Sequence, residues 1–255
     1  MSEGEEPEAQ SEETREEGPA SEPPPSAPPV GARAAVSVAF AITIATGAVI
    51  TFAFDPARAG QRSMIGSLGS LYALLAVVAL VRLHRRGQLA ARFRPMSGDM
   101  TLAAVTAGLL YGAGRIVEMT LAHHGSPREA WIVRLYLQVG DTATTGRGLV
   151  GAAVFAIAAL EEIVWRGLAM RSLEDALGPR RALLYATLLF GLAHTPTLWL
   201  LRDPTAGLNP LLLLAALGCG FVWGAIVLRT GRLLPAVLAH ALFSWSVIEF
   251  PFWRL

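Results

Sequence analysis

The sequence contains no lysine, only one cysteine and few charged residues. Of its 255 residues, 16% are charged, whereas a soluble domain usually carries about 25%. The body of the chain is poorer still in charge, because nine of the twenty acidic residues lie within the first 22. Together with 53% hydrophobic residues and a mean hydropathy of +0.46, this composition argues against a soluble enzyme. It indicates a polytopic membrane protein.

The single cysteine and the absence of lysine limit the covalent links and the partners that this chain can have. Cys219 stands alone, so an internal disulfide is excluded. All 21 cationic residues are arginines, and they fall at the ends of apolar runs rather than in one dense basic block. We therefore expect no nucleic-acid partner, and we expect the arginines to anchor helices in a lipid bilayer.

Apolar segments of about 20 residues, the length that crosses a bilayer core of ~30 Å, follow one another along the chain. Their runs are continuous rather than alternating, and open sheets cannot lie in lipid. The predicted fold class is therefore all-α, with about seven transmembrane helices after a disordered N-terminal tail rich in Glu, Ser and Pro. The predicted spans are 34–54, 63–83, 100–121, 149–170, 181–201, 210–229 and 233–252. The predicted divisions are a tail at 1–32, N-terminal membrane helices with an interfacial segment at 33–148, and a C-terminal helix core at 149–252.

The distribution of arginines predicts the orientation. If the N-terminus is cytoplasmic, twelve arginines lie inside and seven outside, and the densest cluster, 82–94, lies inside. The absence of lysine is typical of a GC-rich genome. For a bacterial host, the expected location is the inner membrane with a cytoplasmic N-terminus.

The segment EEIVWRG places three ionisable residues at the end of a long apolar run: Glu161, Glu162 and Arg166. One charge at the centre of a membrane helix costs about 2.5–3.5 kcal/mol on insertion scales, so such residues indicate a functional site. Arg115 and Glu118 are also three residues apart in a predicted span, and a structural ion pair is the favoured interpretation there.

Two later apolar segments each contain a histidine. FGLAH places His194 four residues after Phe190, and LAHALFS places Ser244 one helical turn after His240. A lone membrane histidine usually serves helix packing. Two histidines together with the acidic motif, on three separate predicted helices, favour one shared site.

Helical geometry separates the two glutamates. Glu162 and Arg166 stack at i,i+4 and can neutralise each other, while Glu161 is rotated by about 100° and can face a cavity. A desolvated carboxylate near an imidazole suits a general base acting on water, and His240 and Ser244 could donate hydrogen bonds to an oxyanion. Alternatively, Glu161, His194 and His240 could bind zinc, although the chain lacks HExxH. The cofactor prediction is therefore none, or zinc.

These motifs resemble those of the CAAX prenyl protease 2 family, also called the Abi or CPBP intramembrane protease family, which includes proteins like lysostaphin resistance protein A. EEIVWRG matches its Glu-Glu-x-x-x-Arg motif and FGLAH its Phe-x-x-x-His motif. LAHALFS matches the start of its third motif, in which Asn or Asp follows the histidine by four residues. The matches have the family's order and spacing and cover residues ~149–250.

The resemblance implies a membrane endopeptidase that cleaves near the C-terminus, or within a membrane segment, of a membrane-anchored or lipidated protein. Glu161 would be the catalytic base and His194 its partner on the water. Glu162 and Arg166 would support the site, and His240 would stabilise the oxyanion. The residues favour a metal-free mechanism over the zinc-dependent one.

Ser244 departs from this pattern, because it stands where the family has Asn or Asp. Serine is shorter and offers a single donor, so the departure keeps open a non-proteolytic binding or immunity protein of the same family. A transporter that uses Arg115, Glu118 and the pair Glu161 and Glu162 as a relay is a weaker alternative, because the sequence shows no convincing internal repeat.

Overall fold

A computed structural model describes Met1 and residues 30–140 and 146–252. Its helices are α1 (Val30–Ala53), α2 (Ser63–Arg85), α3 (Leu89–Phe93), α4 (Asp99–Leu121), α5 (Glu129–Val139), α6 (Arg147–Val164), α7 (Arg171–Leu177), α8 (Pro179–His194), α9 (Thr197–Leu200), α10 (Leu211–Thr230) and α11 (Leu234–Glu249). A π-helical segment, Trp165–Met170, joins α6 to α7, and a 3-10 turn covers Pro56–Arg58.

The all-α prediction is confirmed. The described ranges contain no strand, only one isolated bridge between Asp203 and Gly207. Six helical stretches are long and apolar enough to cross a membrane, and α11 is a shorter apolar helix. The protein is an integral membrane protein. Most of the predicted disordered tail lies outside the described residues, and α1 begins at Val30.

The helices form because uninterrupted apolar segments must satisfy their backbone hydrogen bonds internally in lipid. Their outer faces carry exposed large aliphatic side chains such as Leu74, Leu109 and Ile116, which are 63–70% exposed. Their inner faces carry small residues, and Ala39, Ala76 and others are almost fully buried. Small residues at helix–helix contacts let the backbones approach closely, as is typical of membrane bundles.

Helix α6 lies at the centre of this bundle. It packs extensively against α11 and α2, while α8 packs against α10, and α1 contacts α7 and α8. The continuous core includes Trp165, Phe190 and Trp223. This arrangement brings the helices that carry the three sequence motifs together around α6.

Ion pairs gather at one end of the bundle. Arg86 contacts Asp175 at 2.6 Å, and Arg232 pairs with Asp99 across 133 positions of sequence. The hydrogen bond from its guanidinium to Asp99 raises the pKa of Arg232. These contacts show that the ends of α2, α4, α7 and α10 meet at one end of the bundle. The same end contains the arginine cluster 82–94, which is predicted to lie in the cytoplasm.

Helix α5 caps the opposite end. Gln138 donates to the carbonyl oxygen of Ala53 at 2.7 Å, and Tyr136 donates to that of Val247 at 3.0 Å. Nearby, the expected ion pair in α4 is formed, with Arg115 Nη1 at 3.0 Å from a carboxylate oxygen of Glu118. The interfacial segment predicted within 33–148 therefore forms a helix, α5, that contacts the end of α1 and the end of α11.

Candidate active site

The acidic motif lies where α6 passes into the π-helical segment. Glu161 and Glu162 are in the last turn of α6, and Arg166 is the second residue of the π segment. A π segment widens the helix locally and occurs frequently at functional sites. Despite the change in helix type, Arg166 Nη1 donates to Glu162 Oε1 at 2.7 Å, as the i,i+4 spacing predicts.

Glu162 is the most enclosed member of the site. Its side chain has no exposed surface, and a single oxygen, Oε1, contacts both Arg166 Nη1 and, at 3.0 Å, His240 Nδ1. A buried carboxylate needs such partners, because desolvating an unpaired charge is very costly. Glu162 is therefore a junction between α6 and α11.

Arg166 connects the acidic motif to a third helix. Its Nη2 donates to the backbone carbonyl oxygen of Gly220 on α10. Its guanidinium lies 5.1 Å from the ring centroid of Phe190 and 5.7 Å from that of Trp223, which are cation–π distances. The arginine thus binds an anion, a carbonyl and two aromatic faces at once, and its position is fixed.

His240 lies between the two glutamates. While Nδ1 contacts Glu162, Nε2 is 3.9 Å from Glu161 Oε2. The imidazole is stacked on the indole of Trp223, with ring centroids 3.6 Å apart and an interplanar angle of 19°. Because one face and one nitrogen are occupied, Nε2 is the edge of this ring that is left for chemistry.

His194 is held by its own helix. Its Nδ1 donates to the carbonyl oxygen of Phe190 at 2.8 Å, so the neutral ring presents Nε2 as an acceptor. The side chain is partly exposed, and it lies within electrostatic range of Glu161 and His240. Phe190 therefore has two roles in its motif: its carbonyl orients the imidazole, and its ring contacts Arg166.

Glu161 differs from Glu162 in its surroundings. Its side chain keeps 13% exposure, and its Oε1 accepts a hydrogen bond from the hydroxyl of Tyr72 on α2 at 2.5 Å. Oε2 faces His240. The structure therefore separates the neighbouring glutamates as the helical phase predicts, one buried in an ion pair and one at a partly open position.

Ser244 lies one turn beyond His240 on α11 and is half-buried. No hydrogen bond of its hydroxyl occurs within the described ranges. Among those same residues, no three His, Cys, Asp or Glu side chains are grouped so that they could hold a metal ion. Glu161, His194 and His240 therefore do not form a ligand cage in this arrangement.

Two cavities lie away from these residues. One of about 390 Å³ is lined by side chains near Arg115 and by the chain after α11. The other, about 790 Å³, is an open apolar groove beside Phe93 and Ile163. The site itself is reached through the partly exposed edges of Glu161 and His194.

Three residues of the site were not predicted from the sequence: Tyr72, Gly220 and Trp223. Tyr72 carried a readable signal. Membrane tyrosines concentrate at the interfaces, yet this one is the tenth residue of a 23-residue span. The contacts of Gly220 and Trp223 depend on how α10 packs, and the sequence carries no pattern for that.

A family model described as type II CAAX prenyl endopeptidase Rce1-like matches residues 144–246. The resemblance to CAAX endopeptidases is confirmed. The Rce1-like segment contains the acidic motif, both histidines and Ser244, whereas α1 to α5 lie outside it. The similarity of this segment is to a family of CAAX endopeptidases. No curated protein and no solved structure matches the chain.

Proposed function

We propose that this protein is an intramembrane endopeptidase that hydrolyses a peptide bond near the C-terminus, or within a membrane segment, of a membrane-anchored or lipidated protein. The observation that carries the proposal is the convergence of Glu161, Glu162 and His240 within hydrogen-bonding or near-contact distance, with His194 in electrostatic range. A structural packing role alone would not require a partly exposed glutamate beside two imidazoles.

In the proposed reaction, Glu161 removes a proton from a water molecule through Oε2, since Oε1 is occupied by the Tyr72 hydroxyl. His194 orients the same water through Nε2, because its Nδ1 is bound to Phe190. The water oxygen attacks the scissile carbonyl carbon, and the carbonyl electron pair moves to the oxygen. Glu161 then returns the proton to the leaving amine as the carbon–nitrogen bond breaks.

His240 would stabilise the oxyanion. Its Nδ1 contacts Glu162, so Nε2 can donate only when the ring carries both protons. The arrangement resembles other hydrolases in which a buried acid orients a histidine. Glu162 and Arg166 support the site by fixing this ring and joining α6 to α10.

The substrate would reach the site from within the membrane. The bilayer holds both the enzyme and the anchored protein, and the partly exposed Glu161 could meet a peptide segment that enters from it. We place the protein in a bacterial inner membrane with its N-terminus in the cytoplasm, because the arginine-rich ends of α2, α4 and α10 would then lie inside.

The test uses the full chain reconstituted in proteoliposomes. The probe is a fluorogenic farnesylated peptide ending in a CAAX sequence, beside its unlipidated counterpart. The wild type should cleave the lipidated probe, Glu161→Gln and His194→Ala should lose at least about a hundredfold in rate, and His84→Ala, at an exposed histidine, should retain full activity. Equal cleavage by all four proteins would contradict the proposal.

A chelator series on the same assay tests the cofactor. The metal-free mechanism predicts that EDTA and 1,10-phenanthroline leave the wild-type rate unchanged. Loss of activity that added Zn²⁺ restores would establish the zinc-dependent alternative. If Glu161→Gln abolishes cleavage but preserves a cellular immunity phenotype, the binding role would account for that phenotype instead.

A further inference from the structure

We infer that Tyr72, on a helix outside the Rce1-like segment, is a positioning residue for the base Glu161. This inference rests on the proposed function. Its basis is the hydrogen bond that the Tyr72 hydroxyl donates to Glu161 Oε1, between residues 89 positions apart in sequence. The contact joins α2 to α6, two helices that pack extensively against each other.

Tyr72 is placed by the buried face of α2. Tyr72, Ala76, Ala79 and Leu83 follow one another at intervals of three or four residues and are at most 2% exposed. This spacing forms one helical stripe, which faces α6. The small alanines allow close approach, so the ring enters the bundle and its hydroxyl reaches the carboxylate.

Two further side chains lie next to the Tyr72 hydroxyl and help to orient it. The side chains of Thr46 and Trp165 lie beside it, and both are fully buried. Within the described part of the chain, neither Thr46 Oγ1 nor Trp165 Nε1 has a hydrogen-bond partner of good geometry. Both are donors that can approach the phenol oxygen, and the phenol proton is then directed towards Glu161.

The two carboxylate oxygens of Glu161 therefore have different partners. Oε1 is held by the phenol, and Oε2 is left to face His240 and the partly open side of the site. A carboxylate on a flexible side chain otherwise rotates among several positions. Fixing it within hydrogen-bonding reach of the water lowers the entropic part of the barrier.

This role explains why the matched segment alone does not make a complete site. Residues 144–246 supply the base, the histidines and Arg166. The orientation of the base comes from α2, with Thr46 of α1 behind it. The N-terminal helices are therefore part of the active-site construction and not only a membrane anchor.

The kinetic test compares Tyr72→Phe with the wild type in proteoliposomes. The substitution keeps the ring and removes the hydroxyl. The loss of a hydrogen bond to a charged group corresponds to about 10–100-fold in rate, so we expect kcat to fall by about that factor while KM stays within about twofold. The matched control is Tyr185→Phe, on an exposed face of α8, which should change neither constant.

The second readout does not depend on activity. Thermal unfolding in detergent is measured for Tyr72→Phe, Glu161→Ala and the double variant, because alanine removes the acceptor that glutamine would keep. A hydrogen bond between the two side chains predicts non-additive changes. Additive changes, or an unchanged kcat in Tyr72→Phe, would overturn the inference.

The two readouts also separate its failure from that of the proposed function. If Glu161→Gln is inactive and Tyr72→Phe is fully active, only the role of Tyr72 is wrong. If Glu161→Gln cleaves as fast as the wild type, the proposed function fails, and the positioning role for catalysis fails with it. An equal fall in kcat and rise in KM, with loss of folded protein, would indicate a structural role and would also overturn the inference.

Discussion

His240 Nδ1 lies 3.0 Å from Glu162 Oε1, so the histidine of the last helix is bound to the supporting glutamate and not to the proposed base. The same oxygen receives Arg166. This shared oxygen joins α6, α11 and, through the Arg166 contact to Gly220, α10. The position of His240 therefore depends on a buried ion pair, and changes to that pair should act on both stability and activity.

Replacing Arg166 tests this dependence. Arg166→Met leaves Glu162 buried without its cationic partner, and breaking a buried pair in this way typically costs about 3–5 kcal/mol. The midpoint of thermal unfolding in detergent should fall accordingly, and cleavage should be lost. Arg62→Met, at an exposed arginine, is the control.

The double variant Glu162→Gln with Arg166→Met sharpens the result. It removes both charges, so its loss of stability should be smaller than that of Arg166→Met alone. If the double variant is less stable than Arg166→Met, the instability of Arg166→Met does not come from leaving the charge of Glu162 unpaired.

Gly220 is predicted to be intolerant of a side chain. A Cβ at this position would lie 2.9 Å from a ring carbon of Phe190 and 3.2 Å from Arg166 Nη2. Gly220→Ala should therefore displace Phe190, whose carbonyl oxygen orients His194, and should lower kcat/KM. The measurement is steady-state cleavage in proteoliposomes.

Gly218 is the matched control on the same helix, since a Cβ there has no heavy atom within 4 Å. Gly218→Ala should leave activity unchanged and stabilise α10 by up to about 1 kcal/mol. Comparable losses in both alanine variants would indicate that the backbone of α10, rather than the Phe190 contact, controls the rate.

Ser244 offers a gain-of-function test. Its hydroxyl has no hydrogen-bond partner among the described residues, and the family pattern has Asn or Asp there. Ser244→Asn adds a longer donor one turn from His240, and we expect kcat to rise. A good hydrogen bond to a charged group contributes about 1.5–3 kcal/mol, which is an upper bound of about a hundredfold in rate. Ser244→Ala should change the rate less, and a slower Ser244→Asn enzyme would contradict this prediction.

Asp203, which pairs with Arg134 of α5, makes stability depend on pH at the end of the bundle that α5 caps. The backbone N–H groups of Thr205 and Ala206 donate to its carboxylate and, with Arg134, hold the pKa of Asp203 below its ordinary value. A lowered pKa in the folded state contributes stability that is present above the ordinary pKa. That stability is lost as the pH falls through the lowered pKa.

Asp203→Asn should therefore unfold at a lower temperature than the wild type at neutral pH. The difference should shrink as the pH falls below the ordinary pKa of aspartate and disappear once the pH is below the lowered pKa of Asp203. The check is thermal unfolding of both proteins in detergent across this pH range. A constant difference at all pH values would show that the turn depends on the shape of the side chain and not on its charge.

Much of the fold was readable because membrane insertion imposes a strong constraint. Uninterrupted apolar runs must be helical in lipid, and the predicted boundaries 63–83 and 100–121 agree with the observed α2 and α4 to within two residues. The π segment after Glu162 could not be foreseen, since it depends on how neighbouring helices accommodate Trp165 and Arg166. The apolar run alone predicted a regular helix there.

The sequence by itself determined the local part of the site. Helical spacing placed Glu162 over Arg166 and turned Glu161 away, because the i,i+4 relation is fixed within one helix. Only the tertiary structure decided which helices face each other. It bound His240 to Glu162, placed Gly220 against Arg166 and brought Tyr72 from α2 to Glu161. Such contacts join residues up to 89 positions apart, and they follow from close packing of whole helices, which no local pattern encodes.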